Sequence, residues 1–293
     1  MVERDDMAFQ AAMMYYLQSE TMDGVARHLG VSRSTVSRLL AHARDAGLVR
    51  ISLNEPSRPD ALASQMYKAF KVRARVVPVR EGATEINRLS QVSAVAAEMI
   101  SQKVENGTIM GVAWGNTVAE IAQSLPPREL QRVLVVQLNG AANSSQTGLP
   151  YADAILSQFA AAFRGRTVHF PVPALFDYAS TREAMWRERS VQRVLTIQER
   201  VDLAVFGVGS LRSPVPSQVY AGGYLNEEDR RALDAEGVVA DVCTVFLRAD
   251  GSYRDISLNA RASGPTPAQL SRIKTRVMVA SSAAKAPAIL AAL

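Results

Sequence analysis

The sequence predicts an α/β chain in two parts. An N-terminal all-α helix-turn-helix domain is expected over residues 1–55, followed over residues 56–293 by a larger, mostly parallel α/β domain. Three observations carry this. Residues 21–47 hold the caps, glycines and aliphatic spacing of two tightly joined helices. The segment NEPSRPD, with Pro56 and Pro59 as breakers, marks a boundary. Beyond it, short apolar runs alternate with amphipathic stretches, as in a parallel sheet covered on both faces.

Phe9, Met13, Tyr16 and Leu17 recur at i, i+4, i+7 and i+8 and predict a first helix. Thr21 can cap a short helix through Leu29, and Gly30 can take the left-handed conformation that ends it. Ser32 can cap a second helix to about Asp45, which Gly47 stops. Small Ala26 lies where the helices cross, and Val36 packs back into the crossing. Val25, Leu29, Val31, Leu39 and Leu40 fill the rest of a small core. Those core positions leave Ser32, Arg33, Ser34, Ser37 and Arg38 on the free face of the second helix, with Thr35 in its first turn. Short hydroxyls suit phosphates and arginines make bidentate contacts to guanine edges, so this face is expected to bind double-stranded DNA. LVRISL (Leu48 to Leu53) alternates like a strand and would bring Arg50 near a phosphate.

Charge points the same way. From Gly24 to Asn54 five arginines face one acid, Asp45, a net +4, although the whole chain carries only +5. A basic segment is the footprint of a polyanion binder. The 48% hydrophobic and 21% charged residues exclude a disordered chain. Cys243 is the single cysteine, no Cys/His cluster has zinc spacing, and no metal or cofactor is expected. MVERDDMAFQ lacks the basic start and apolar run of a secretory signal, and no apolar run reaches membrane-spanning length. A cytoplasmic chain without a membrane partner is expected.

In the second part, LASQMYKAF reads as a helix and VRARVVPV as a strand. ISQKVENGTIMGVAWGNTVAEIAQSL gives helix, turn, strand, loop and helix. VLVVQLNG is a strand, YADAILSQFAAAF a helix, and RVLTIQERVDLAVFGVGS a helix, strand and glycine-rich loop. TRVMVASSAAKAPAILAAL closes with strand, loop and helix.

In open α/β sheets ligands bind beyond the carboxyl ends of the strands, and three loops reach that edge. Trp114, Gly115, Asn116 and Thr117 open a helix with backbone amides suited to a phosphate. Gly207, Val208, Gly209 and Ser210 follow the VDLAVF strand. Lys285 sits in the first turn of the last helix and can pair with an anion. Together they predict a site for a phosphorylated small molecule.

VARHLGVSRSTVSRLLAHARDAGLVRISL, GVAWGNT, DLAVFGVGS, AGGYL, GVVADVCTVFLRADG and the final KAPAILAAL, in that order over nearly the whole chain, resemble the SorC family of sugar-responsive transcription regulators. The resemblance implies a DeoR-like helix-turn-helix and an effector domain similar in fold to sugar-phosphate isomerases and glucosamine-phosphate deaminases. It implies a homo-oligomer, dimer or tetramer, whose affinity for an operator responds to a phosphorylated sugar or related metabolite. It assigns phosphate to Gly115, Asn116 and Thr117, with Gly207, Gly209 and Lys285 close by, and gives Asp241 the sugar hydroxyls. Ser281-Ser282 stand where the family usually has glycines. Asn139 stands where a lysine would form an imine, so binding is expected to be noncovalent. The family also continues past the last helix with a further strand and helix, so a trimmed effector domain is expected at Leu293.

Two other readings use the same residues. One is a sugar-phosphate isomerase or deaminase carrying a DNA module. It would need an acid/base pair, for which Asp153, Asp177, Glu183 and Asp241 are available, while His169 between an apolar strand and prolines reads as structural. The other is a DNA-binding protein whose large domain only oligomerises. Trp186, Arg187 and Arg189 are an effector clamp, a helix surface or a subunit contact, and PVPSQVYAGGYL is a lid or a crossover. The adopted reading is a regulator without enzymatic activity, a repressor of sugar, polyol or nucleoside catabolism.

Overall fold

The computed structural model describes residues 2–49, 61–144, 147–211, 213 and 217–293. The chain separates into two compact units, Met1–Asp60 and Ala61–Leu293. Arg50 and most of LVRISL lie outside the described residues.

In the first unit, α1 (Val2–Ala12) continues into a π-helical turn, Met13–Leu17. The next helices are α2 (Met22–Leu29) and α3 (Arg33–Asp45). Their ends follow the expected chemistry. Thr21 Oγ1 accepts from the Gly24 amide at 3.0 Å, Ser32 Oγ accepts from the Thr35 amide at 3.1 Å, and Gly30 has φ +66°. Val25, Ala26, Val36, Leu39 and Leu40 are buried with Ala43, and Leu29 and Val31 pack at the margin. The first helix turns a different face inward from the one its large residues suggest. Ala8, Ala11, Ala12 and Met14 are buried, whereas Phe9 is 53% and Leu17 81% exposed. Small side chains let α1 lie close on α3, and that closeness outweighs burying the larger residues.

The second unit begins with α4 (Ala61–Phe70), none of whose residues is buried. VRARVVPV is not a strand: residues 72–79 join no ladder among the described residues. Its alternation records no sheet face, since a strand requires a neighbour to receive its backbone bonds.

The central sheet is parallel and runs β3 (Arg166–Val168), β2 (Leu134–Gln137), β1 (Ile109–Val112), β4 (Leu203–Gly207), β8 (Thr275–Val279). Successive residues serve two cores, as the period of two demands. Leu203 and Val205 of β4 face the core shared with α5 (Glu85–Ser101), α6 (Asn116–Ser124) and α7 (Gly148–Ala162). Ala204 and Phe206 face the core of α9 (Arg189–Gln198), α12 (Pro267–Leu270) and α13 (Ala286–Ala292). Two further helices, α8 (Ala179–Met185) and α11 (Glu227–Ala235), lie between strands in the chain.

A second, antiparallel sheet was not read from the sequence. It comprises β5 (Gly209–Ser210), β6 (Val238–Val242) and β7 (Val245–Arg248). Gly209 and Ser210, expected as a glycine-rich loop, therefore form a strand, with Gly209 paired to Asp241. A two-residue run is too short to carry its own periodicity. In Trp186 the indole packs edge-on against Phe170 and Phe176 beneath the Arg182 guanidinium, while Arg187 and Arg189 lie on the exposed surface.

Candidate functional site

On the first unit, Ser32, Arg33, Ser34, Ser37 and Arg38 are exposed along one face of α3, and Thr35 is half-buried. Part of this set already has internal work. Ser32 Oγ, besides capping α3, lies 2.9 Å from Thr35 Oγ1, and Arg38 Nη2 reaches Thr35 Oγ1 at 3.4 Å. Arg33 Nε stands 3.9 Å from Asp23 Oδ1 with both side chains mostly exposed, a contact that contributes little in water. His42 Nε2 lies 2.6 Å from Asp5 Oδ1 and ties α3 to α1.

On the second unit, sheet order dictates where a cavity opens. The chain runs from β1 outward to β2 and β3 on one side, then returns to β4 and β8 on the other. The loops leaving β1 and β4 therefore diverge, the geometry at which open α/β sheets bind ligands. A cavity of about 110 Å³ lies there. All nine residues the sequence singled out for a ligand line it: Trp114, Gly115, Asn116, Thr117, Asn139, Gly207, Gly209, Asp241 and Lys285.

At one end stands the start of α6. Gly115 has φ +147°, a conformation that an L side chain rarely adopts, and no side chain caps the helix. Thr117 is buried in its first turn. The Asn116 carboxamide is fixed by Gln218 Nε2 at 3.1 Å and by the Tyr151 hydroxyl at 3.3 Å. Trp114 forms the wall, stacked on Tyr224 at 4.9 Å and donating to the Gly140 carbonyl at 2.8 Å.

At the other end stands Asp241 on β6, buried, with Oδ1 lacking a hydrogen-bond partner. Burial pushes its carboxyl up to about 6, against the opposing pull of the Tyr220 hydroxyl, the Thr244 amide and the Lys285 ammonium. Gly209 is required for close approach: an added Cβ would stand 1.7 Å from Asp241 Oδ1. Asn139 is also buried, with Oδ1 unpartnered. Lys285 closes the short turn Ala283–Lys285 and caps α13 rather than lying within it. Its Nζ donates to the Val208 carbonyl at 3.0 Å. Burial lowers its proton affinity, and the charges of Asp241 and Glu85 partly restore it. Ser281 and Ser282 also line the cavity.

Several lining residues were not singled out from sequence. Glu85, Ile86 and Leu89 come from α5, which carries no motif. Ser217, Gln218 and Val219 belong to PVPSQVYAGGYL. That segment borders the cavity and is anchored where Asn143 and Ser144 donate to the carbonyls of Gly222 and Gly223, at 2.6 and 3.0 Å. His169 stands apart from the cavity, about half exposed, 3.5 Å from Asp153. Among the described residues no group of His, Cys, Asp and Glu could hold a metal, and no helix is long and apolar enough to cross a membrane.

Comparison with known proteins gives the following. A family described as "Putative sugar-binding domain" matches residues 54–293. The chain is 32% identical to the deoxyribonucleoside regulator of Bacillus subtilis over 99% of this chain and 92% of that one. It is 26% identical to the sorbitol operon regulator of Klebsiella pneumoniae over 96% of this chain and 90% of that one. Among solved structures, the full-length sorbitol operon regulator SorC from Klebsiella pneumoniae superposes with a TM-score of 0.72 at 26% identity, covering 97% of this chain and 91% of that one. A domain of a "possible sugar-binding transcriptional regulator" from Arthrobacter aurescens TC1 matches with a TM-score of 0.75 at 46% identity, covering 79% of this chain and 88% of that one.

Proposed function

This chain belongs to the SorC family of transcriptional regulators, and from that premise we propose that it binds operator DNA through α3 and a phosphorylated sugar, polyol or nucleoside-derived metabolite in the cavity between β1 and β4. The division of labour follows residues 1–55 and 56–293. The names of its relatives, a deoxyribonucleoside regulator and a sorbitol operon regulator, support that class of effector.

The observation that carries the reading is the convergence of complementary groups on one small cavity. The uncapped start of α6 offers backbone amides to an anion, and Lys285 supplies a cation. Asp241 and Asn139 supply acceptors for hydroxyl donors. With an asparagine at position 139 the effector is held without a covalent bond. The protein acts as a sensor and not as an enzyme, and as a repressor.

One two-helix reader contacts too few base pairs for genomic specificity, so the working form is a homo-oligomer, dimer or tetramer, on a repeated operator. The effector changes DNA affinity by favouring one arrangement of the readers over another. A thermal-shift screen of phosphorylated pentoses, hexoses and polyols tests the effector half. At least one is expected to raise Tm, and failure of every one would overturn it. Rapid isomerisation of a bound sugar phosphate would overturn the sensor reading instead.

A further inference from the structure

Away from the cavity and the short helix α10 (Gln218–Ala221) that borders it, one run of charge has no part in the function derived so far. From Ala61 to Arg80 the chain places Lys68, Lys71, Arg73, Arg75 and Arg80 with no acid among them, a net +5. The whole chain also carries +5, and residues 24–54 hold +4, so everything outside these two stretches sums to −4. All five cations are exposed. Lys68 belongs to the last turn of α4. Beyond Phe70 the exposure alternates: Lys71, Arg73 and Arg75 are exposed, while Val72, Ala74 and Val76 are half-buried. That is the period of an extended segment, in which alternate side chains share one side and recur about every 6.6 Å. Residues 72–79 join no ladder among the described residues. The alternation that predicted a strand instead lays out a row of cations.

Such a row is unfavourable in the free protein, because like charges on neighbouring sites repel. Ordinary surfaces avoid this by interspersing both signs. Here Lys68, Lys71, Arg73 and Arg80 form no ion pair with a described residue. Lys71 Nζ stands over the Tyr67 ring, 5.9 Å from its centroid. A linear polyanion relieves the repulsion, and release of its condensed counterions drives the binding.

We propose that the row from Lys68 to Arg80 is a second contact for duplex DNA, one that holds the phosphate backbone irrespective of sequence. The proposal rests on reading α3 as a DNA-binding helix. The occupant is DNA rather than an acidic protein, because Lys68 follows the end of α3 at Asp45 by only 23 residues. DNA held by α3 is thereby kept at high local concentration around the row. The valines and alanine between the cations offer no carboxamide or hydroxyl to a base edge, so the contact carries charge and not sequence.

Lys68→Gln, Lys71→Gln and Arg73→Gln, singly and together in the full chain, test this. Arg187→Gln, Arg189→Gln and Arg193→Gln together are a control of equal charge at exposed sites elsewhere. Binding to the protein's own promoter fragment and to an unrelated duplex of equal length is followed by anisotropy over a salt series. Each single substitution should flatten the slope of log affinity against log salt by about one, and the triple by about three. At fixed salt the triple should weaken both duplexes by the same factor, roughly tenfold or more. The control should keep the parental slope. A parental slope in the triple variant would overturn the proposal and leave the row to solvent or to an acidic protein. A control that flattens the slope equally would overturn it too, by reducing the effect to net charge. Should the triple variant not fold, the three single variants decide by the same step of one. Arg33→Ala plus Arg38→Ala tests the premise separately, since it should lose the preference for the promoter while the row keeps its share of the slope. If that preference survives, the reading of α3 falls, and the row is still decided by its own slope.

Discussion

Two helix starts in this chain carry the same backbone dipole and end up in opposite chemical states. One of the first amides of α3 is closed from within, because the Ser32 hydroxyl accepts from Thr35. The first turn of α6 follows Gly115, which has a φ of +147° and no side chain that could cap the helix. Every helix leaves its first N–H groups without intrahelical partners. A cap residue spends them on structure, and a glycine leaves them for a ligand. Under the proposed function, the difference fits α3 to a reading surface, whose contacts would come from its exposed side chains, and α6 to a cradle, whose contacts would come from backbone.

Exchanging the two starts is the hardest blow to that contrast. Gly115→Ser forces a side chain into a conformation costing roughly 1–3 kcal/mol and places a hydroxyl where the anion would sit. Titration calorimetry is expected to show the effector response lost, with DNA binding retained. A normal effector isotherm would break the comparison.

Next in size are the exposed arginines of α3. Arg38→Ala should weaken operator binding by roughly 1–3 kcal/mol if it reads a base edge, and Arg33→Ala by a similar amount. Both variants should keep their effector-induced thermal shift. Fluorescence anisotropy with promoter DNA checks this, and undiminished binding of the double variant excludes α3 as the reader.

A smaller effect follows from Asp241. With its carboxyl pushed up to about 6, a hydroxyl donor meets a carboxylate above that pH and an acid below it. Effector affinity should fall by roughly tenfold from pH 7.5 to pH 5, by the ionised fraction. In Asp241→Asn only the phosphate's own titration should remain. The stability sign is the reverse. A carboxyl whose folded value lies above its ordinary 3.8 costs stability above about pH 6, and that cost is relieved as pH falls toward 4. Asp241→Asn should therefore melt higher than the parent at pH 8 and converge with it near pH 4. The smallest change is Ser32→Gly, which should cost the reader only a few tenths of a kcal/mol in chemical denaturation, because glycine also tolerates a cap position.

How much of this was legible in sequence depended on how local the signal is. The caps at Thr21 and Ser32, the stop at Gly30 and the parallel strands were readable, because each depends on a few adjacent residues. Trp114 to Thr117, Gly207, Gly209 and Lys285 were readable because strand-to-helix loops stand in a recognisable place, whereas Asn139 and Asp241 came only from the resemblance to the family. What escaped depended on partners far along the chain. The two-residue strand at Gly209 exists through its pairing with Asp241, and its glycine is required by a carboxylate over thirty positions away. VRARVVPV shows the converse, an alternating run that pairs with no strand among the described residues. The first helix misled through size, since Phe9 and Leu17 draw the eye while Ala8, Ala11 and Ala12 make the contact. Glu85 and Ile86 reach the cavity from a helix with no motif, which only the tertiary fold reveals.

In the proposed function, occupancy of the β1–β4 cavity governs the grip of α3 on DNA. Its most direct test is the affinity of the full chain for its own promoter fragment, measured by anisotropy with and without each phosphorylated sugar. One sugar phosphate should change that affinity by at least about tenfold, the scale of an ordinary coupling free energy, and Lys285→Met should abolish the change while binding DNA like the parent. An affinity that no sugar phosphate moves, or a response that survives Lys285→Met and Gly115→Ser alike, would contradict it.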